Sequence, residues 1–274
     1  MKKLVFDIDG VLIDTRKSYL VAIKQTTEYF VEKEVEMTLI EELKRKEGFN
    51  NDWYVAYVLI NCLLLDINLD DYSKFTDNKE KFTYEEIKEV FQCIYLGVER
   101  YQPKNKKLKR AEWLEGLWKK ETLIFSKEEL SSLSSKYGKF SIITGRTKEE
   151  AEYALDHFNI RDLFSDVISV EDIKDDYFNK FPQFKKYGVD KANPVLFYQI
   201  PDIEESNSIF YTGDSVSDMM LVANSRDSLP VKGINFQYDH AVEESKKLNE
   251  KTESYKPDYT AKTTKEALTI LIHN

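Results

Sequence analysis

The chain is poor in the residues that build disulfide scaffolds and histidine metal sites. Its 274 residues contain two cysteines, Cys62 and Cys93, which lie far apart, and three scattered histidines. A disulfide scaffold or a structural zinc site is therefore unsupported, and the two cysteines are interpreted as small buried residues. Because histidine is so scarce, we expect carboxylates to carry any acid–base chemistry.

The chain also has no net positive charge and no long apolar run. It has 49 acidic against 40 basic residues, a formal net charge of −9. Nucleic acid polymers and anionic membranes bind positively charged surfaces, so neither is expected as a partner. The longest largely apolar run, residues 55–65, is shorter than the roughly 18 residues of a membrane span. Residues 1–7 reach an aspartate after three apolar residues, unlike a signal peptide, and the cytoplasm is the expected compartment.

Hydrophobic periodicity divides the chain into a strand, a helical stretch and an alternation of strands and helices. Apolar residues 4–6 predict a buried strand, and residues from about 15 to 110 repeat at the three- to four-residue spacing of helices. The later strands are predicted at 139–143, 166–170, 209–211 and 232–236, the helices at 148–158 and 217–224, with a terminal helix beginning at Thr263 or Thr264. Strands that alternate with helices predict a doubly wound parallel sheet, so the fold class is α/β with an inserted all-α domain. The predicted core is 1–15 and 112–274, and the predicted insertion is 16–111.

Two aspartates follow the first predicted strand. Asp7 ends the strand and Asp9 lies two residues on, so both carboxylates can face the same side of an extended chain, and Gly10 permits a sharp turn. Adjacent carboxylates repel each other, and a divalent cation relieves that repulsion. A solvated turn is the alternative interpretation of this segment.

Three further strand ends or loops carry polar residues. Thr144 and Gly145 precede a predicted helix, where free N–H groups suit a phosphate, although a plain helix cap is the alternative. Lys191 stands three residues before Pro194, and a lone lysine is usually a surface charge. Asp214 follows another strand, and Asp218, one helical turn later, can point at the same cation or simply cap the helix.

In this order along the chain, the residues resemble the motifs of the haloacid dehalogenase superfamily of hydrolases, in its phosphoglycolate-phosphatase-like branch. The segment Asp7-Ile8-Asp9-Gly10-Val11 is similar to the first motif, Thr144-Gly145 to the second, Lys191-Ala192-Asn193-Pro194 to the third and Gly213 to Asp218 to the fourth. Ala192 departs from the family, which often has proline there, and Lys185 and Lys186 are the alternatives to Lys191. The resemblance implies a Rossmann-like core with a helical cap inserted after the first motif.

The resemblance also implies a mechanism for hydrolysing a phosphomonoester. Asp7 would be the nucleophile and form an aspartyl phosphate, while Asp9 would first protonate the leaving alcohol and then deprotonate water. Mg²⁺ would be held by Asp7, the Asp9 main-chain carbonyl and Asp214, with Asp218 a direct or indirect ligand. Thr144, Gly145 and Lys191 would hold the phosphoryl oxygens.

Residues of the insertion and one arginine are the candidates for substrate contact. Asn50, Asn51, Asp52 and Trp53 follow Gly48 and offer polar and aromatic groups close together. A helix start, with Asn or Asp as its cap and Trp53 packed inside, is the alternative. Arg146 follows the second motif and is a candidate partner for a substrate anion or a carboxylate.

The function expected from this pattern is a Mg²⁺-dependent phosphatase acting on a small phosphorylated metabolite. A phosphomutase on the same core, or a non-catalytic metabolite-binding or regulatory protein on this scaffold, are the alternatives, because a fold by itself does not fix a function. The expected partner is a small phosphoester, and a monomer or homodimer is the expected state.

Overall fold

The structure is a computed structural model that describes residues 2–44, 46, 48–49, 51–74, 80–238 and 255–274. The chain forms two compact units. One, the core unit, consists of Met1–Asp14 and Leu123–Asn274, and the other, the helical unit, is Thr15–Thr122. Among the described residues, the helices are all too short or too polar to cross a membrane.

Parallel strands at the centre of the core unit form its sheet. The strands that the structure describes are β1 (Lys2–Phe6), β2 (Ile13–Asp14), β3 (Thr122–Leu123), β4 (Phe140–Thr144), β5 (Phe164–Ser169), β6 (Ser208–Gly213), β7 (Val231–Phe236) and β8 (Tyr259–Ala261). In the described part of the chain, six of them pair in the order β5-β4-β1-β6-β7-β8, and every pairing is parallel. This confirms the predicted parallel sheet.

Strand β1 lies inside the sheet, and both of its neighbours, β4 and β6, come later in the chain. Val5 of β1 pairs with Ser141 on one side and with Tyr211 on the other. The chain therefore winds outward from β1 in one direction through β4 and β5, then returns and winds the other way from β6. Ligands of such sheets bind at the carboxyl ends of the strands where the winding direction changes. That point lies at the end of β1.

Helices cover both faces of the sheet, which completes the doubly wound fold. Within the described residues the α-helices are α1 (Tyr19–Val31), α2 (Met37–Lys44), α3 (Asp52–Leu65), α4 (Tyr84–Leu96), α5 (Lys127–Tyr137), α6 (Lys148–His157), α7 (Asp175–Lys180), α8 (Val216–Ser225) and α9 (Thr264–His273). Phe6 of β1 packs in one apolar cluster with residues of α5, α6 and α9, and Val5 packs in a second with residues of α8. The alternation arises because successive side chains of a strand point to opposite faces.

The helical unit contains α1 to α4, whose apolar sides face one another. Tyr19 of α1 stacks on Tyr95 of α4 with ring centroids 4.5 Å apart. Asn61 of α3 is buried, and its amide ties down the segment before α4: Oδ1 accepts the Lys81 N–H at 2.8 Å and Nδ2 donates to the Phe82 carbonyl at 3.2 Å. A buried amide paired in this way costs little, because its polar atoms keep hydrogen-bond partners.

The helical unit extends further along the sequence than the periodicity indicates. The predicted return to the core is residue 112, whereas the core unit resumes at Leu123. In between, Trp113 and Trp118 are buried, and Trp118 Nε1 donates to the Leu96 carbonyl at 3.1 Å. Trp118 therefore attaches this segment to α4, and the Trp113 ring packs against Tyr29 of α1. A helical spacing pattern reveals neither contact.

Candidate active site

Polar residues at the ends of β1, β4 and β6 share one edge of the sheet. Asp7 directly follows β1, and its N–H donates to the Thr212 carbonyl at 2.9 Å. Thr144 is the last residue of β4, and Asp214 comes directly after β6. Asp7, Asp214 and Asp218 each offer a carboxylate oxygen, and these oxygens all lie within 4.8 Å of one another.

Lys191 joins two of these carboxylates. Its Nζ lies 2.6 Å from Asp7 Oδ2 and 2.7 Å from Asp218 Oδ1. The three side chains are buried or nearly so, since that of Lys191 is 15% exposed and that of Asp218 is fully buried. The alternative lysines, Lys185 and Lys186, are exposed. The lysine that reaches the aspartates is therefore Lys191.

The loop that carries Lys191 is fixed by its neighbours. The buried Asn193 donates from Nδ2 to the Gly188 carbonyl at 2.7 Å, and its Oδ1 accepts the Val195 N–H at 3.0 Å. The N–H of Ala192 donates to Asp190 Oδ1 at 2.8 Å. Proline has no N–H to give, so this bond gives a physical reason for alanine where the family often has proline.

Burial and mutual charge set the protonation of the cluster. Burial would lower the pKa of Lys191, but the Asp218 and Asp7 carboxylates raise it above its ordinary value. Burial would likewise raise the pKa of Asp218, but Lys191 holds it below the ordinary value. Burial, offset only in part by Lys191, raises the pKa of Asp7 to about 7. Lys191 therefore stays charged, and a further positive charge beside Asp7 would favour the ionised form of that carboxylate.

The donor set fits a divalent cation at Asp7 and Asp214. Asp7 Oδ1 is buried and has no hydrogen-bond partner among the described residues. Carboxylates cluster here: Lys191 pairs with Asp7 and Asp218, Arg146 pairs with Asp9, and Asp214 lies beside Asp7 and Asp218. Clustered carboxylate oxygens are ligands that Mg²⁺ accepts, together with a substrate phosphate.

Protein groups surround both carboxylate oxygens of Asp218. Oδ1 accepts from Lys191 Nζ and from the Tyr211 hydroxyl, which is 2.6 Å away. Oδ2 accepts from the Asp214 N–H at 3.2 Å, the Ser215 N–H at 3.0 Å and the Ser215 hydroxyl at 2.6 Å. Of the two roles that the resemblance implies for Asp218, this geometry fits the indirect one.

Two glycines bring the backbone close to the carboxylates. Gly10 has a φ of +70°, which favours glycine, and a Cβ there would lie 2.0 Å from Asp214 Oδ2. A Cβ on Gly213 would lie 2.3 Å from the Asp218 Cβ. The space taken by Asp214 and Asp218 therefore exists because neither glycine has a side chain.

Asp9 is held by Arg146 and not by Lys191. Arg146 Nε and Nη2 lie 2.8 Å and 2.6 Å from the same oxygen, Asp9 Oδ1. The arginine backbone is anchored as well: Ser169 Oγ donates to the Arg146 carbonyl at 2.6 Å, and the Arg146 N–H donates to Thr144 Oγ1 at 3.2 Å. Because the guanidinium is buried and faces Asp9, this geometry favours a carboxylate partner over a substrate anion for Arg146.

Thr144 and Gly145 form the turn between β4 and α6. The helix is capped by Thr147, whose hydroxyl oxygen accepts the Glu150 N–H at 3.3 Å, so the alternative interpretation of Thr144 as the helix cap is wrong. The Thr144 hydroxyl is buried, accepts one hydrogen bond and donates none among the described residues. Gly145 beside it is exposed.

The candidate substrate residues of the helical unit start helix α3. Asn51 is its cap and accepts the Tyr54 N–H at 3.1 Å, while Asp52 forms an ion pair with Lys44. The Trp53 ring lies under Lys88 Nζ at 3.9 Å. Asn50 lies outside the described residues. The Asn51 cap matches the helix-start interpretation, whereas Trp53 is half-buried and not packed inside the unit. Contact of these side chains with substrate stays a prediction.

Sequence reasoning missed two residues of the core unit. The Tyr211 hydroxyl on Asp218 comes from inside a strand, where a tyrosine looks like any buried aromatic residue. Burial is the main reason that the pKa of Tyr211 is raised well above its ordinary value, so its hydroxyl stays protonated and donates. Ser169, at the end of β5, had a usable signal: it is a polar residue at the same edge of the sheet as Thr144, with which it pairs.

No family model and no curated protein match the chain. Among solved structures, it is similar to a phosphatase from Thermococcus thioreducens, with 27% identical residues and a TM-score of 0.66, over 89% of this chain and 95% of that one.

Two other similar structures share the fold at lower identity. A predicted phosphoglycolate phosphatase from Haemophilus somnus is 16% identical with a TM-score of 0.57, over 98% of this chain and 97% of that one. A protein from Bacillus subtilis assigned as a haloacid dehalogenase hydrolase, with magnesium bound, is 16% identical with a TM-score of 0.54, over 98% of each chain. These solved structures and the chain share one fold, and the chain's doubly wound sheet brings together the four motifs by which its sequence resembles the haloacid dehalogenase superfamily.

Proposed function

We propose that this chain is a Mg²⁺-dependent phosphatase that hydrolyses a small phosphomonoester through an aspartyl-phosphate intermediate. One observation carries the proposal. Lys191 holds Oδ2 of the buried Asp7, while Oδ1 of the same carboxylate has no hydrogen-bond partner among the described residues. A carboxylate fixed by one oxygen, with the other unbonded, is suited to nucleophilic attack.

In the first step Asp7 Oδ1 attacks phosphorus, and the bond from phosphorus to the leaving alkoxide oxygen breaks. Asp9, entering this step protonated, gives its proton to that oxygen. In the second step the Asp9 carboxylate takes a proton from water, whose oxygen attacks phosphorus and releases Asp7 and phosphate. Asp9 therefore gives one proton to the alcohol in the first step and takes another from water in the second, so it ends the cycle protonated again.

Residues at the neighbouring strand ends would hold the transferring phosphoryl group. Thr144 has a hydroxyl proton to donate, Gly145 presents an exposed backbone, and Lys191 carries a positive charge beside Asp7. Fixed donors of this kind stabilise charge that develops on the equatorial oxygens without reorganising during the reaction.

Asp7, Asp214 and the main-chain carbonyl of Asp9 are the proposed Mg²⁺ ligands, and Asp218 would act indirectly through Lys191. When bound, Mg²⁺ supplies positive charge that lets an anionic phosphate approach the Asp7 carboxylate. The clustered carboxylates of Asp7, Asp214 and Asp218 and the close approach of Gly10 to Asp214 support this assignment.

The proposed partner is a small phosphoester and not a nucleic acid polymer or a membrane, because the net charge of −9 repels extended polyanions. A single pocket of an acidic protein can still be locally positive where a cation and Lys191 meet. The proposed compartment is the cytoplasm, where unpaired cysteines such as Cys62 and Cys93 stay reduced. A monomer or homodimer is the proposed state.

The test is a panel of phosphoesters, including an aryl phosphate, assayed for free phosphate after chelation and again after adding Mg²⁺. We expect hydrolysis that depends on Mg²⁺ and that Asp7→Asn abolishes without lowering the melting temperature. Asp202→Asn is the matched control, because Asp202 is exposed and has an αL backbone that asparagine tolerates.

Three results would contradict the proposal. Turnover unchanged in Asp7→Asn removes the nucleophile from the mechanism. An isomer of a sugar phosphate in place of free phosphate indicates a phosphomutase. Tight binding of a phosphoester without turnover of any panel member indicates a binding or regulatory protein.

A further inference from the structure

Tyr211 extends the aspartate–lysine cluster into the interior of the sheet. It lies on β6, is fully buried, and packs edge-to-face against Phe197 with centroids 5.7 Å apart. Its hydroxyl lies 2.6 Å from Asp218 Oδ1 and 3.3 Å from the carbonyl of Ile143 on β4. Strand β1 lies between β4 and β6, so the Tyr211 side chain reaches across β1, the strand that Asp7 directly follows.

The position of Asp218 Oδ1 depends on contacts different from those that hold Oδ2. Oδ2 is bound to Ser215 and to the backbone at the start of its own helix. Oδ1 bonds to two side chains, those of Lys191 and Tyr211. Lys191 sits on a long flexible stem between two carboxylates, whereas Tyr211 has a ring fixed in the core. Tyr211 is therefore the rigid contact that sets where Oδ1 lies.

The position of Oδ1 in turn sets the position of Lys191 relative to Asp7. The Lys191 Nζ is shared between Asp218 Oδ1 and Asp7 Oδ2 at nearly equal distances of 2.7 Å and 2.6 Å. A shift of Asp218 would pull the ammonium group away from one carboxylate, and Asp7 would lose the bond that fixes its second oxygen. Misplacement of a reacting group by about 1 Å can cost roughly a hundredfold in rate.

We propose that Tyr211 is a positioning residue for the nucleophile: its hydroxyl orients Asp218, Asp218 places Lys191, and Lys191 holds Asp7 ready for attack. The inference rests on the proposed phosphatase function and adds to it a residue outside the four motifs. Tyr211 acts entirely through other side chains, so its removal changes the rate of chemistry and leaves substrate affinity unchanged.

The test is Tyr211→Phe, which keeps the ring and deletes the hydroxyl. In a Mg²⁺-dependent assay we expect kcat to fall roughly tenfold or more, the loss of one hydrogen bond to a charged group, with KM within about twofold of wild type. Inhibition by vanadate, which imitates the transferring phosphoryl group, should weaken in parallel with kcat. Tyr198→Phe is the matched control, because Tyr198 packs on Phe181 in the same apolar cluster.

A double-mutant cycle separates positioning from general loss of packing. If Tyr211 acts through Asp218, adding Tyr211→Phe to Asp218→Asn lowers kcat no further than Asp218→Asn alone. Additive losses, or a Tyr211→Phe variant with wild-type kcat and vanadate inhibition, would overturn the inference. So would a fall in melting temperature with unchanged kcat. The proposed phosphatase function fails separately, by absence of turnover in the wild-type protein.

Discussion

The buried side chain of Arg146 holds the partly exposed Asp9 by a single oxygen. Nε and Nη2 of the arginine converge on Asp9 Oδ1 at 2.8 Å and 2.6 Å. The arginine side chain is 1% exposed and that of the aspartate 33% exposed, so Asp9 is the member of the pair that faces solvent. Two N–H groups on one oxygen fix the direction of a carboxylate better than one does. Asp9 is thus oriented by a side chain of the protein itself.

The first prediction concerns the arginine of this pair. Arg146→Met removes the guanidinium while keeping an apolar side chain, so Asp9 loses its orientation. We expect kcat to fall about ten- to a hundredfold, below the roughly 10²–10⁴-fold contribution of a full general acid–base residue. Steady-state kinetics measure the fall in kcat. Arg161→Met is the control, because Arg161 forms an ion pair with Glu152, away from the candidate site. A raised KM with unchanged kcat would instead indicate direct contact between Arg146 and substrate.

The second prediction separates the two proton transfers of Asp9. An aryl leaving group such as nitrophenolate needs no proton, so Asp9→Asn still allows attack by Asp7 on nitrophenyl phosphate. The second step lacks its base, and we expect a burst of about one nitrophenol per protein followed by turnover slowed roughly a hundredfold or more. Stopped-flow absorbance measures the burst, and intact mass spectrometry detects the phosphorylated protein. A linear time course without a burst would mean that Asp9 is also needed for attack.

The third prediction concerns stability. Lys191→Met leaves the buried Asp7 and Asp218 carboxylates facing each other without their shared cation. Breaking a buried ion pair by removing one partner costs about 3–5 kcal/mol of unfolding free energy. Urea denaturation without Mg²⁺ measures the loss, and Lys186→Met, at an exposed lysine of the same segment, is the control. A loss no larger than that of the control would show that water, and not Lys191, compensates the carboxylates.

The sheet could be predicted because buried parallel strands read as apolar runs. Residues 139–143 were predicted and Phe140–Thr144 is observed. Helix α5 and strand β8 are among the elements that the same reasoning did not predict. Helix α5 (Lys127–Tyr137) buries only Leu130 and Leu133 along its length, which is too few apolar residues for a clear helical period. Strand β8 (Tyr259–Ala261) has three residues, too few to show any alternation.

The topology of the sheet allowed the residues of the site to be predicted. It did not allow a prediction of which side chains pair with each other. Asp7, Thr144 and Asp214 follow strands, and parallel strands end at one edge. Which cation meets which carboxylate depends on side-chain direction: Lys191 goes to Asp7, whereas Arg146 goes to Asp9. These partners are separated by more than a hundred residues, and no spacing in the chain encodes their contact.

The two cysteines of the helical unit allow a prediction on pH. Both are buried and free, Cys62 on α3 and Cys93 on α4. Burial raises the pKa of Cys62 to about 11 and that of Cys93 to about 12. A thiol in an unfolded chain ionises near pH 8.5. Between these values the folded protein keeps protons that the unfolded chain has lost.

Stability from the two thiols is therefore fully present below about pH 8.5 and is lost as pH rises through 11 to 12. The fourth prediction is that the urea midpoint of wild type falls more steeply between pH 8 and pH 10.5 than that of the Cys62→Ala, Cys93→Ala double variant. The variant retains the tyrosines, whose ionisation destabilises both proteins alike, so the difference in slope reports the thiols. A thiol reagent at pH 8 should leave the native protein unlabelled, because burial excludes the reagent and the reactive thiolate is scarce. Equal slopes, or labelling at the rate of a free thiol, would contradict burial of Cys62 and Cys93.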